Sequence, residues 1–297
     1  AIFAGLALVI METLSDFGAV EHFAIPTFTT GIFRTWYGMY DLNTAMQLSS
    51  LLLIFVIIFL VIERISRSKA SFVSSNSLYK KYNVIKLKGY NSIFAMLFCF
   101  TPVFMGFILP IIELINWTIN YKLDFFNKDF IESSFNSLLL AIIAALLCTA
   151  ISFLINFSAR LHGNKFLSFL SSTLTLGYGV PGLILAIGIT QLLTFIDNYV
   201  QFFHFNFIFT GSLIGLIIAY IIKSYALSNS SIESGFQRVS SSLDDVSKTL
   251  NISGIKLMYK IHLPLVKTGL LTSILLVGSE VIKELPATLI LRPFNFE

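Results

Sequence analysis

Apolar runs near bilayer-spanning length recur along this chain, separated by short polar stretches. A helix that crosses a bilayer needs about 20 mostly apolar residues. Runs over 1–14, 45–62, 92–115, 134–157, 166–193, 207–227 and 265–282 meet or approach that length, the first reading as the outer part of a longer helix. One polar island breaks the pattern. Residues 240–264 (SSSLDDVSKTLNISGIKLMYKIHLP) carry Asp244, Asp245, Lys248, Lys256 and Lys260 and read as two short helices joined by a turn. Ser242 is placed to cap the first helix, with Asp245 three residues on as its capping-box partner. Asn251 stands where that helix ends, in a residue type suited to the left-handed turn conformation. Ser253 is placed to cap the second helix, and Pro264 disfavours helical geometry at Leu263. A compact helix pair hung on one side of a membrane bundle is a docking element.

Composition fixes the class as all-α, a polytopic membrane helical bundle. The chain is 56% apolar, 14% aromatic and 12% charged, with thirty Phe and a mean hydropathy of +0.82. Soluble domains carry about a quarter charged residues. The net charge of +4 does not make a nucleic-acid face, because the bases lie in loops between apolar runs. Cys99 and Cys148 fall inside apolar runs, without disulfide or metal spacing, and read as packing residues. The chain begins at Ala1 inside an apolar run and ends at Glu297 without a closing helix, so it reads as truncated at both ends.

Charge assigns the sides. One set of loops holds Arg64, Arg67, Lys69, Lys80, Lys81, Lys86, Lys88, Arg160, Lys165, Lys223, Arg238, Lys248, Lys256, Lys260 and Lys267, fifteen of the twenty Lys and Arg. The other holds Arg34, Lys122, Lys128 and Arg292, with Lys283 near a helix end. The positive-inside rule therefore puts the island in the cytoplasm and the loops around Trp36, Trp117 and His204 outside.

The chain also repeats itself. Shifting AIFAGLALVIMETLSDFGAVEHF by 268 positions onto GLLTSILLVGSEVIKELPATLIL pairs Leu8 with Leu276, Val9 with Val277, Glu12 with Glu280, Asp16 with Glu284 and Phe17 with Leu285. This divides the chain into the C-terminal end of a first unit (1–66, two membrane helices), a basic cytoplasmic linker (67–89), and most of a second unit. The second unit (90–297) has about five membrane helices and lacks its last. Two like units in one polypeptide imply a pseudo-two-fold pathway at their interface.

At the island the residues resemble a known family. Permease subunits of binding-protein-dependent ABC importers carry E-A-A-x3-G-x9-I-x-L-P in a cytoplasmic loop. Here Asp245, Val246 and Ser247 stand for E-A-A, Asn251 for the Gly, and Ile261, Leu263 and Pro264 complete the spacing. The runs ETLSDFGAVEHFAIPTFTTGIFRTWYG, LHGNKFLSFLSSTLTLGYGVPGLILAIG and KELPATLILRPFNF are similar to those of the fused, two-unit iron(III) permeases. The resemblance implies a bundle of two permease halves in the bacterial plasma (inner) membrane, with residues 240–264 coupling it to ABC ATPase subunits working as a dimer. It implies a periplasmic or surface iron-binding protein as a further partner, no cofactor and no nucleic acid. Consistent with a separate ATPase, the sequence contains no G-x4-G-K-[ST] phosphate loop.

Four acids lie in or at the ends of apolar helices: Glu12, Asp16, Glu280 and Glu284. Such groups face a bundle interior or water. Two roles are open to them, oxygen ligands lining a passage for ferric iron or inter-unit pairing, with Lys283 three positions after Glu280. No metal site is assigned. Gly179, Pro181 and Gly182 mark either a break lining the pathway or a proline kink. Gly211, Gly215 and Ala219 read as a small-residue packing face, and His162, His204 and His262 as scattered interfacial or solvated residues. The alternative classes are an ion-coupled secondary transporter whose acids carry protons or sodium, a membrane scaffold or sensor, or a related importer for another substrate such as polyamine or thiamine.

Overall fold

The computed structural model describes residues 2–68, 86–121, 127–163, 165–202, 208–240 and 242–293. It is helical throughout, as the apolar periodicity requires, and forms two compact units. The basic linker lies largely, and His204 wholly, outside the described residues.

The larger unit joins residues 1–70 to 135–297. It opens with α1 (Ile2–Ser15), α2 (Gly18–His22) and α3 (Phe28–Phe33), followed by a π turn at Arg34–Gly38 and α4 (Leu42–Ser68). α3 starts at a reciprocal capping box: Thr27 accepts from the Thr30 backbone, and the Thr30 hydroxyl accepts from the Thr27 backbone. The smaller unit, 71–134, holds α5 (Tyr90–Val103), a π turn (Phe104–Ile108) and α6 (Leu109–Asn120). Together these make one apolar span with no buried residue. The π turn follows Pro102, which removes a hydrogen bond from the ladder.

The chain continues through α7 (Lys128–His162), α8 (Lys165–Thr175), a 3-10 turn (Leu176–Gly179), α9 (Gly182–Phe202) and α10 (Leu213–Gln237). It ends with α11 (Ser242–Thr249), α12 (Gly254–Leu257), a π turn (Met258–His262), α13 (Leu263–Leu265), α14 (Lys267–Lys283) and α15 (Leu285–Leu291). Among the described residues five helical stretches are long and apolar enough to cross a membrane, and six if α12–α13 and α14, bent by 74°, form one span.

The expected span 166–193 is broken. α8 stops at Thr175, and Val180 is extended. α9 then begins at Gly182 and runs on to Phe202, because Pro181 has no N–H for a continuous ladder.

α10 packs along α14, where Gly235 and Gly269 bring the backbones together; a Cβ on Gly269 would lie 2.9 Å from the Ser231 carbonyl. Nearby, Thr149, Ser273 and Ser228 link α7, α14 and α10 through hydroxyl contacts of 2.7 and 2.8 Å. Hydrogen bonds of this kind hold helices together where lipid removes the hydrophobic drive. Gly215 and Ala219 do lie on the packed face of α10. Gly211 does not: it sits in the turn before the helix, at φ 75°.

Candidate functional site

The polar island folds as two short helices and a π turn, and it differs from the sequence reading at three points. Ser242 lies inside α11, and its backbone N–H donates to Ser240 Oγ at 3.3 Å, so the hydroxyl partner stands two residues earlier. Ser253 is extended directly before α12 but makes no side-chain cap bond. Leu263 is helical (φ −59°, ψ −46°) despite Pro264. The π turn over Met258–His262 shifts the hydrogen-bond register ahead of the proline, so the missing N–H breaks no α-helical ladder. The chain bends instead at Val266. Asn251 takes φ 56°, the left-handed conformation that turns α11 toward α12.

The motif positions divide by face. Ser247 and Ile261 turn inward. Ser247 is buried and donates to the Leu243 carbonyl at 2.6 Å, while Ile261 packs on the cluster of Phe153, Phe157, Ile232, Phe236 and Leu257. Asp245, Val246, Asn251, Leu263 and Pro264 are on the exposed side, together with Leu250, Ile255 and Tyr259. The island thus offers an apolar outer face with Asp245 beside it.

What holds it to the bundle is a charged cluster the sequence reading passed over. Arg160, near the end of α7, donates Nε to Asp244 Oδ2 at 2.7 Å and Nη1 to the Phe236 carbonyl at 2.9 Å. Its Nη2 reaches the carbonyls of Val239 and Ser240 at 2.9 and 3.0 Å. The other Asp244 oxygen lies 2.8 Å from His262 Nε2, an ion-pair distance whose angle falls outside hydrogen-bond geometry. His262 is not solvated as expected: it is fully buried, with its ring against Phe157 and Phe236. Burial pulls its pKa below the ordinary value, Asp244 pulling it back up and Arg160 down. The spacing gave no signal for it, since i+1 from Ile261 and i+5 from Leu257 share a face with them only in the wider π turn.

The four acids meet in one place. A cavity of about 420 Å³ is lined by Glu12, Asp16, Glu280 and Glu284 with Lys223, Lys283 and the α1–α2 and α14–α15 breaks. Lys283 Nζ lies 2.8 Å from Glu280 and 4.0 Å from Glu12, joining α14 to α1. Lys223 Nζ lies 3.5 Å from Glu284, both about nine-tenths buried. Lys223 is therefore not a loop cation. It sits in mid-α10, where the acid compensates its charge. The Glu284 carboxylate also occupies the space a Cβ on Gly182 would need, so the break before α9 and the acids form one site.

The internal repeat extends to geometry. Asp16 Oδ1 accepts from the Ala19 N–H at 3.4 Å, and Glu284 Oε1 from the Ala287 N–H at 3.4 Å. In both stretches an acid follows the first helix and accepts a backbone N–H from the first turn of the short helix after it, Glu284 as the N-cap itself and Asp16 from one residue before the N-cap. Among the described residues no three His, Cys, Asp or Glu side chains come together as a metal-binding group.

Residues 149–292 match the family model described as the binding-protein-dependent transport system inner membrane component. The matched stretch contains the whole island, Arg160, both lysines and two of the four acids. The full chain is 24% identical over 297 residues to the Fe(3+)-transport system permease protein FbpB 2 of Haemophilus influenzae, covering 98% of this chain and 56% of that protein. It is 28% identical over 199 residues to the molybdate/tungstate transport system permease protein WtpB of Methanocaldococcus jannaschii (66% of this chain, 78% of that protein). The ferric transport system permease protein FbpB of Actinobacillus pleuropneumoniae is 25% identical over 258 residues, 79% of this chain and 35% of its own length. The chain thus spans about half the length, or less, of the ferric relatives it matches.

Proposed function

We propose that this chain is the membrane part of an ABC importer, forming the passage for ferric iron released by an external binding protein. The observation that carries the reading is the coincidence of a permease domain with a docking-shaped island inside it. Residues 240–264 are pinned to the bundle on one face and present Asp245, Val246, Leu250 and Tyr259 on the other. The loop charges support a cytoplasmic side for this island, where separate ATPase subunits, as a dimer, take its outer face. Closure of that dimer then moves the bundle between its inward- and outward-facing states. Residues 1–66 end a first permease unit, 67–89 link it, and 90–297 make most of a second. The acid cavity lies where the two repeats meet, Glu12 and Asp16 coming from one and Glu280 and Glu284 from the other. Its ion pairs support the pairing role for these acids over direct iron ligation.

The molybdate/tungstate relative favours one second reading, an importer for an oxyanion on the same framework. Uptake of radiolabelled ferric iron and of molybdate by cells expressing the complete transporter separates the two. Iron uptake that persists when the proton gradient is collapsed with ATP maintained is the expected result. Uptake that stops under those conditions would establish a secondary transporter instead. Asp245→Lys is expected to abolish co-purification of the ATPase while the bundle stays folded; a normally assembled and active variant would refute the coupling assignment.

A further inference from the structure

Resting on the importer reading above, the question is what makes the island move the helices rather than slide over them. Its apolar contacts, Leu257 and Ile261 on Phe153 and Phe236, are non-directional and resist sliding weakly. The guanidinium of Arg160 is different. It belongs to α7, caps the carbonyls of Phe236, Val239 and Ser240 at the end of α10, and grips Asp244 in α11. A planar fork with donors in several directions fixes orientation as well as distance. Asp244 also lies 2.8 Å from His262, which joins α11 to the π turn within the island. One side chain therefore ties the ends of α7 and α10 to the island, and one carboxylate carries the grip on from α11 to the π turn. The side chains of both Arg160 and Asp244 are largely buried, at 18% and 12% exposure, so the link is little screened by solvent.

We infer that Arg160 is a positioning residue for transport: through Asp244 it locks residues 240–264 to α7 and α10, so that displacement of the island by the ATPase becomes rearrangement of the bundle. The outer face that docks and the inner link that transmits are separate residue sets, Asp245 and Val246 on one side and Asp244 on the other. Docking and coupling are then separable by mutation.

The test uses the complete transporter with its ATPase in proteoliposomes, reading three quantities: ATPase co-purified per permease, ATP hydrolysed, and substrate moved. Arg160→Lys keeps the charge and the stem but loses the fork. It is expected to retain the ATPase and hydrolyse ATP while the ATP used per substrate moved rises about tenfold or more. Asp244→Asn, which leaves the carbonyl contacts of Arg160 in place, is expected to raise the same ratio and serves if the lysine variant fails to assemble. A purely structural role predicts transport and hydrolysis falling together with the amount of complex; that result, or an unchanged ratio in both variants, would overturn the inference alone. A wild-type protein that transports without ATP hydrolysis would instead overturn the importer reading, and this inference with it.

Discussion

Glu284 serves two neighbours at once, so its removal separates into measurable parts. Its carboxylate lies 3.5 Å from the Lys223 ammonium, both side chains about nine-tenths buried, and it accepts from the Ala287 N–H at 3.4 Å. Glu284→Gln preserves shape and the cap acceptor but leaves Lys223 without a counter-charge. Breaking a buried pair from one side costs about 3–5 kcal/mol. The lower end applies here, because the pair borders a cavity of about 420 Å³ that eases the desolvation of the lone ammonium. Glu284→Ala also loses the cap of α15, adding about 1 kcal/mol. Lys223→Met combined with Glu284→Gln removes both charges and is expected to return to within about 1 kcal/mol of wild type, since a neutral replacement of a buried pair is tolerated. Thermal unfolding in lipid nanodiscs reads this series. With roughly 2–4 °C per kcal/mol for a chain of this size, Glu284→Gln should lower the midpoint by roughly 6–12 °C. Equal midpoints for wild type and Glu284→Gln would refute the reasoning, as would a double variant melting no higher than Glu284→Gln alone.

Two further outcomes are expected. Because burial depresses the His262 pKa, the released island takes up a proton more readily than the docked one. Docking stability is then fully present above the ordinary histidine value of about 6.5 and is lost as pH falls below it. Protection factors of residues 240–264, with the intrinsic pH dependence of amide exchange divided out, should fall between about pH 7 and 5, and His262→Gln should flatten that dependence; equal slopes in the two proteins would count against it. Replacing Glu12 and Glu280 together by Gln should weaken the α1–α14 link yet leave iron uptake per folded transporter near wild type, if these acids pair with Lys283 rather than ligate cargo. A steep loss of uptake with unchanged unfolding would assign them to the passage.

Much of the bundle was legible in the sequence because membrane burial forces long apolar runs, and because the acids recur in register. Asp16 and Glu284 were paired by sequence alone, and their matching bonds to Ala19 and Ala287 follow from that register. Charged partners were harder to read. Lys223 sits ten residues into α10, and only the approach of Glu284 from another helix explains it; counting cations by loop misassigns such a residue. Arg160 and Asp244, 84 positions apart, meet only once α7 and α11 are placed. Pro264 misled for a local reason, since a π turn can absorb a proline that an α-helix cannot. Motif spacing named Asp245, Val246, Ser247, Asn251, Ile261, Leu263 and Pro264 without dividing them by face, because the division depends on which side of a short helix the bundle covers.

The register of the repeat also shows what is not duplicated. Glu12 and Glu280 correspond, but the position of Lys283 is held by Ser15 in the first copy. A single lysine thus stands near both glutamates, at 4.0 and 2.8 Å. Two identical subunits related by a two-fold axis must present every residue in duplicate, so an equivalent assembly of separate copies would carry two lysines there or none. On the two-unit arrangement proposed above, joining the copies in one polypeptide removes that parity constraint, and an odd charge can stand at the seam.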